Sequence, residues 1–424
     1  MQRYEKYKNS GVDWIGEIPE GWNILKLKFL FKDVSIKNRP ALDLLSVTQD
    51  QGVVPRSMVE NRMVMPTGNL ESFKVISKGD FAISLRSFEG GLEYSEYEGL
   101  ISPAYTVLKS QKEIIDNYFK FLFKSKAFIA ELQLSIVGIR EGKNISYEEL
   151  KYSYTPIPTL TEQQTIATFL DDKTAKIDQT IAIKQKEIEL LKERRQILIQ
   201  KAVTKGLDDT VKLKDSGVDW IGEIPEHWEV RKITYLFSKI GSGTTPTSGD
   251  LRYYDGVINF LQTGDLNDGY IISTSKTLKE KALRDFTSLK IYPKESLVIA
   301  MYGATIGKLG ILNIDSATNQ ACCVLSNPRN VLTKYFFFVL LAFRKEIVSM
   351  GYGGGQPNIS QDLIKSLRFP IANLNEQIQI VSYLEEIEEK IAKAILLKQQ
   401  EIEKLKEYKT VLIDNVVTGK VRVS

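Results

Sequence analysis

Histidine is almost missing from this chain of 424 residues, His227 being the only one. Imidazole chemistry has a single candidate, and its counterpart in the internal repeat described below is Gly21, so a mechanism built on it would leave the two copies unequal. His227 is expected on the surface. Cysteine is nearly as scarce: Cys322 and Cys323 stand side by side in an apolar run, which fits neither a disulfide framework nor a zinc cluster, and both read as small core residues. Long hydrophobic runs are lacking too. The nearest approach, Tyr335 to Phe343, is too short to cross a bilayer. Met1-Gln2-Arg3-Tyr4-Glu5-Lys6 shows no apolar signal region, so a cytoplasmic protein away from membranes is expected. A large charge excess is absent as well, with 57 Lys+Arg against 53 Asp+Glu and a net charge of +4. Bulk charge therefore does not mark a nucleic-acid binder. Any grip on DNA must gather basic groups on one face or share the phosphate contacts with partners.

What is present is a soluble, globular composition, 43% hydrophobic and 26% charged, in a chain long enough for two or three domains. It is also duplicated. SGVDWIGEIPEGW from Ser10 to Trp22 recurs as SGVDWIGEIPEHW from Ser216 to Trp228, identical at twelve of thirteen positions. All four tryptophans, Trp14, Trp22, Trp220 and Trp228, fall in these copies. They read as packing anchors at the start of each unit; the rival reading is a set of base-stacking platforms. Further on, Lys78-Gly79-Asp80 before Phe81 to Leu85 corresponds to Lys294-Glu295-Ser296 before Leu297 to Met301, and both apolar runs read as buried strands. Asn144-Ile145-Ser146 matches Asn358-Ile359-Ser360, and TPIPTLTEQQ from Thr155 matches FPIANLNEQ from Phe369. The offset between copies is 206 at the tryptophans, 216 at the strand and 214 from Asn-Ile-Ser onward. Insertions thus lie between fixed landmarks, as expected where variable loops on a constant scaffold carry recognition.

Each unit ends in a long helical pattern. The first opens at Thr161-Glu162, with Thr161 the expected N-cap, and runs to about Lys205 with Gly206 as its stop. Leu170, Ile177, Lys184, Leu191 and Leu198 repeat at heptad spacing, interleaved with Ala167, Thr174, Ile181, Ile188, Arg195 and Ala202. The same positions 214 residues on are Leu384, Ile391, Lys398, Leu405 and Leu412, interleaved with Val381, Glu388, Ile395, Ile402, Lys409 and Val416. Such narrow seams predict that the helices pair with each other, antiparallel. In-register pairing sets Ile188 against Leu405 and Leu191 against Ile402, but it also brings Lys184 to Lys409, so a shift of one heptad stays open. Pairing between chains is the rival arrangement. The fold expected is α+β: two similar mixed modules, residues 1–160 and 207–373, each followed by a long helix, 161–206 and 374–424. The helices would form an antiparallel coiled coil with pseudo-twofold symmetry. A helix of about forty residues spans ~60 Å, and two readers on one face of B-DNA need centres ~34–36 Å apart, so the helices are long enough to act as a spacer.

The order of module, helix, module, helix resembles the specificity subunits of type I restriction-modification systems over essentially the whole chain. The residues that carry the resemblance are WIGEIPE at Trp14 and Trp220, GSGTTPTSGD at Gly241 to Asp250, GATIGKLG at Gly303 to Gly310, NQA at Asn319 to Ala321 and GGGQPNIS at Gly353 to Ser360. EQQTIATFLD at Glu162 to Asp171 and EQIQIVSYLE at Glu376 to Glu385 complete the set. The first module departs from the pattern, with SLRSFEGG at Ser84 to Gly91 where the second has AMYGATIGKLG, so its loops should read different bases. The resemblance implies a DNA-binding subunit with two target recognition domains, each reading half of a bipartite double-stranded sequence. It implies partners too: DNA adenine methyltransferase (modification) subunits, in two copies, that use S-adenosylmethionine for adenine-N6 methylation, and a restriction motor-nuclease subunit. The chain itself would hold no cofactor and no metal.

The catalytic inventory agrees with a reader. Gly303 to Lys308 looks superficially like a phosphate loop, but three residues rather than four separate its glycines and Leu309 stands where a Ser or Thr should bind magnesium. Asn327-Pro328-Arg329 is not an amino-methyltransferase motif. No catalytic residue is assigned. Candidate DNA contacts in the first module are Gln49, Arg56, Arg86, Arg140, Lys143 and Asn144, with Arg86 and Arg140 suited to guanine because a guanidinium donates two hydrogen bonds to that base edge. In the second module the Gly241 to Thr247 loop offers backbone amides and the hydroxyls of Ser242, Thr244 and Thr245 for phosphate. Tyr302, Lys308, Asn319, Gln320 and Gln356 could approach from strand ends or loops. For each residue a solvated surface charge or a turn-stabilising amide is the alternative, and for the whole chain a paired-domain scaffold that binds no DNA.

Overall fold

The computed structural model describes residues 2–59, 70–137, 144–351 and 358–423. The chain divides into two compact units, Met1–Gln185 with Lys398–Ser424 and Lys186–Leu397. The two long helices span Leu160–Lys205 and Leu374–Val417. Each contributes one part to each unit.

In the first unit, Tyr7–Asn9 pairs with Glu17–Pro19 around the tryptophan segment, and Asn23–Lys26 pairs with Tyr154–Ile157, tying the start of the module to its end. Between them lies a four-stranded antiparallel sheet in the order Phe31–Val34, Thr106–Ser110, Phe81–Ile83, Glu93–Tyr94. Phe81, Ala82 and Ile83 are all buried, which is why the sequence reads as an uninterrupted apolar run there. The rings of Phe31, Phe81, Phe119, Phe123 and Phe128 meet at centroid distances of 4.8–5.6 Å across this core.

The second unit repeats the plan. Leu213–Asp215 pairs with Glu223–Pro225, and Glu229–Lys232 with Arg368–Ile371. Its main sheet runs Phe237–Gly241, Cys322–Pro328, Leu297–Ala300, Leu309–Leu312, then Gly269–Ile271 as a parallel edge strand. A second sheet is mixed and consists of Lys276–Leu278, Tyr254–Leu261, Ser316–Thr318 and Ile291–Tyr292. The apolar run near Tyr335 is the helix Thr333–Ala342, buried in this unit's core. Cys322 and Cys323 are buried free thiols in the sheet. The correspondence extends to the backbone: Gly79 (φ 90°) and Glu295 (φ 66°) both turn through the left-handed region just before the central strand. Glycine does this without strain, whereas a glutamate pays for the missing freedom locally.

The tryptophans are anchors. Trp22 and Trp228 are each 1% exposed, which removes them as stacking surfaces for bases. Trp220 packs edge-on against Phe343 and Phe369, and Trp14 against Phe128. Trp228 Nε1 donates to Glu376 Oε2 at 2.9 Å, and His227 Nε2 lies 2.8 Å from Glu376 Oε1 on the surface. The lone histidine thus packs at the start of the second long helix.

Both helix starts are built alike. Glu162 N donates to Thr159 Oγ1 and Glu376 N to Asn373 Oδ1, so the N-caps are Thr159 and Asn373. The expected cap, Thr161, instead lies inside the first turn, where its carbonyl accepts from Thr165 Oγ1. Next to each cap a buried glutamine bonds the helix to its module. Gln163 accepts from Ile115 N and donates to Pro158 O; Gln377 accepts from Leu332 N at 2.8 Å and donates to Ala372 O and Asn330 O. Gln377 is fully buried, so replacing it by leucine strands the Leu332 amide away from water. A loss of about 1–3 kcal/mol is expected. Denaturant midpoints measure it, and an unchanged midpoint would mean that water reaches these groups.

Most of the expected seam positions are buried or half-buried. In the first unit Leu170, Ile177, Ile402, Leu412 and Val416 are buried, with Ile181 and Leu405 packed against the module's core. In the second, Ile188, Ala202, Leu384 and Ile391 are buried, and Leu191, Leu198 and Ile395 are half-buried. The helices run antiparallel within each unit. In the first, Lys184 Nζ lies 2.6 Å from Glu401 and Lys409 Nζ 2.7 Å from Asp178; in the second, Arg195 pairs with Glu388. The in-register alignment, which set Ile188 against Leu405 and Lys184 against Lys409, is therefore displaced by about one heptad. The apolar seam fits either alignment, and the charges separate them: one brings two ammonium groups together, the other gives each a carboxylate.

Candidate functional site

In both modules the described candidate residues sit on the turn between the same two strands of the sheet and on segments near it. In the first module this turn follows Phe81–Ile83, carries Arg86 and the short helix Ser87–Gly90, and returns as Glu93–Tyr94. Ser84 N donates to Ser87 Oγ at 2.8 Å and Arg86 N to Ser84 Oγ at 3.3 Å, which fixes the backbone under the exposed guanidinium. Gln49, from the turn after Leu45–Thr48, donates through Nε2 to the Arg86 carbonyl at 3.3 Å. Together they border a cleft of about 690 Å³ whose other walls include Asp50, Gln51, Ser84 and Tyr105. Arg56 begins the turn Arg56–Met58, which supplies Met58 to the same cleft. Arg140 and Lys143 lie outside the described residues, and Asn144 is described only as backbone of the strand Asn144–Ile145.

In the second module the turn runs from Met301 to Lys308 between Leu297–Ala300 and Leu309–Leu312. It joins two antiparallel strands and leads into no helix, so it lacks the strand-to-helix geometry of a phosphate loop. Tyr302 stands at its start and the half-buried Lys308 at its return, where Ala300 N donates to the Lys308 carbonyl at 2.9 Å. The Gly241 to Thr247 loop is stitched to the strand end at Asn319 and Gln320. Gly243 N donates to Asn319 O at 3.3 Å, Thr245 Oγ1 to Gln320 Oε1 at 2.6 Å, and Tyr292 OH to Ser242 O at 3.4 Å. Burial raises the Tyr302 phenol above the usual range. Ser242, Thr245, Asn319 and Gln320 are thus brought together, with Thr244 between Ser242 and Thr245 in sequence. The expectation that this loop offers free donors is corrected at two points: the Gly243 amide and the Thr245 hydroxyl are used inside the protein. Gln356 lies outside the described residues.

Sequence reasoning missed some neighbours. Asn319 N donates to Leu261 O at 3.1 Å, which places the turn of Gln262 to Asp265 beside the same network. Behind the turns lie Lys124 with Glu93 and Arg344 with Asp268. Nothing in the sequence joins a cation to a carboxylate 31 or 76 positions away. Among the described residues no cluster of three or more His, Cys, Asp or Glu could hold a metal ion, and no helix is long and apolar enough to cross a membrane.

Two modules with one order of central strands, divergent turns and heptad helices define a class of repeat-built recognition proteins. The Type I restriction modification DNA specificity domain matches twice, over residues 19–193 and 225–407, and the chain belongs to this family. It is similar to the Type I restriction enzyme MjaVIII specificity subunit of Methanocaldococcus jannaschii, 25% identical over 96% of this chain and 94% of that one. A putative MjaX specificity subunit of the same organism is 27% identical over 100% and 99%. Among solved structures, a chain from work on complex assembly and conformational transition of the type I R-M system superposes with a TM-score of 0.73 at 14% identity, covering 95% of this chain and 99% of that one. The HsdS subunit from Thermoanaerobacter tengcongensis gives 0.58 at 14% identity, with 95% and 98% covered. The fold expected from the repeat is the fold of these structures.

Proposed function

We propose that this chain is the non-catalytic DNA reader of a type I restriction-modification complex in the cytoplasm, with residues 1–160 and 207–373 each reading one half of a bipartite duplex target. The helices, residues 161–206 and 374–424, carry the modules and dock two adenine-N6 methyltransferase subunits and a restriction motor-nuclease subunit. The assembled complex methylates and cleaves; this chain directs where. The observation that carries the reading is the pair of turns between equivalent strands. On one scaffold, Ser84 to Leu92 presents Arg86, and Met301 to Lys308 presents Tyr302 and Lys308. Constant sheets with different loops give two specificities from one fold.

The test is reconstitution with the modification subunits and mapping of methylated adenines. The isolated chain is expected to methylate nothing, and the complex to mark one two-part sequence. Arg86→Ala is expected to relax one base pair in one half of that sequence by about 5–150-fold, the equivalent of about 1–3 kcal/mol for a lost bidentate contact. Unchanged stringency at every position would take Arg86 off the interface. Random methylation by the wild-type complex would sink the whole reading.

A further inference from the structure

Behind each reading turn stands a cation from the same place in the fold. Lys124 follows Phe123 at the end of the helix Asp116–Leu122, and Arg344 follows Phe343 at the end of the helix Thr333–Ala342. Both reach a carboxylate that holds the returning strand of the turn. Lys124 Nζ lies 2.6 Å from Glu93 Oε2, and Glu93 is a residue of that strand. The same ammonium donates to the Gln49 carbonyl at 2.9 Å, so one cation ties the Arg86 turn to the Gln49 loop. Arg344 Nη1 lies 3.0 Å from Asp268 Oδ2, and its Nη2 pairs with Oδ1. Asp268 Oδ1 also accepts from Leu309 N at 2.9 Å, while Asp268 N donates to Leu309 O at 3.0 Å, which fixes the first residue of the returning strand. The stem of Arg344 lies under the turn itself, since a Cβ on Gly307 would stand 3.1 Å from Arg344 Cγ.

The two carboxylates do not correspond in sequence. Glu93 belongs to the returning strand, whereas Asp268 precedes the edge strand Gly269–Ile271 and takes a left-handed backbone (φ 61°) to reach its place. Two modules with different turns therefore arrive at one arrangement by separate routes. Stability is a poor explanation for it: in the first pair, where Glu93 is buried, desolvation offsets much of the attraction, and in the second, where both side chains are 28% exposed, solvent screens it. The Glu93 side chain is 1% exposed, its Oε1 meets no partner among the described residues, and burial pushes its carboxyl up to about 7 despite Lys124. What a hydrogen-bonded pair of this kind supplies is one geometry, and base readout depends on holding a side chain to within a fraction of an ångström.

We propose that Lys124–Glu93 and Arg344–Asp268 are positioning pairs, each setting the selectivity of its own module for one half of the DNA target. The proposal rests on the DNA-reading function above. Neither pair touches a base; each acts through the loops it holds.

The test uses the full chain in the reconstituted methyltransferase complex and a set of duplexes mismatched at single positions in either half. Lys124→Met is expected to lower discrimination in the half read by the first module by about tenfold, a change of ~1.4 kcal/mol, while the other half keeps its stringency. Arg344→Met is expected to do the reverse, and Lys124→Arg and Arg344→Lys to restore discrimination. Glu93→Gln keeps the side chain's shape, serves if Lys124→Met does not fold, and is expected to relax the same half. An even loss of methylation on every duplex, with base preference intact in both halves, would show a merely structural role and overturn the proposal. Relaxation of both halves by one substitution would overturn it as well. A wild-type complex with no two-part preference would fail the DNA-reading function instead, and is distinguishable because it needs no variant.

Discussion

Gly243→Ala is expected to erase recognition of one half of the target and leave the other half intact. A Cβ on Gly243 would lie 1.7 Å from the Thr318 carbonyl oxygen, a backbone atom of the sheet that cannot step aside. The loop must then lift, and the Gly243 to Asn319 and Thr245 to Gln320 hydrogen bonds part with it. Because several contacts move together, the loss of discrimination in that half should reach at least about 100-fold, given about 1–3 kcal/mol for each base pair no longer read. Methylation mapping and competition binding with half-substituted duplexes measure it. Gly21→Ala is the control, since a Cβ there meets nothing within 4 Å and the backbone is not left-handed. An unchanged target for the Gly243 variant would remove this loop from the DNA surface.

Trp228→Ala is expected to have the largest effect on stability. The indole is 1% exposed, belongs to the core cluster of the second unit and donates to Glu376. Loss of a buried aromatic costs about 3–5 kcal/mol. For a unit of this size that lowers the melting transition by about 6–20 °C. Calorimetry of the full chain reads the shift. A transition moved by less than about 2 °C would contradict the burial, and would revive the view of these tryptophans as platforms for bases.

The repeat made much of this fold legible. Where two copies of a segment differ little, as at the tryptophans, Asn-Ile-Ser and the Pro-containing links, the structure puts them in equivalent places, although the Ser360 side chain caps its helix and Ser146 does not. Ile145 and Ile359 are both buried, and Ser146 and Ser360 both stand just before a short helix. The heptad positions also came directly from the sequence, because an apolar stripe on a charged helix has one way to face a partner. The register did not. A seam that repeats every seven residues fits itself again one heptad on, and only the partners of Lys184 and Lys409 distinguish the alignments. The first helix cap was misplaced by two residues because Thr159 and Thr161 are both good caps; Asn373, which occupies the Thr159 position 214 residues later, settles the choice. The candidate loops were legible only in part. Their chemistry was visible, so Gln49 with Arg86 and Thr245 with Gln320 were singled out, yet each partnership joins distant segments that no local pattern links. The pairs behind the loops carried no signal of any kind, since lysine, arginine and carboxylates are common and their burial is set by the tertiary fold.

The way the chain is shared between its units has a consequence during synthesis. The second unit uses one continuous stretch, Lys186–Leu397, and has all its material once that stretch has left the ribosome. The first unit lacks a helical turn of its core until Leu412 to Arg422 emerge: Leu412, Val416 and Val417 fill that core, Tyr118 OH donates to Val417 O, and Gln2 bridges to Arg422. The amino-terminal half of the protein is therefore translated first and finished last, against the usual vectorial order. In the interval its aromatic core lies open, and a nascent chain stalled short of Leu412 would expose that surface to chaperones or to aggregation.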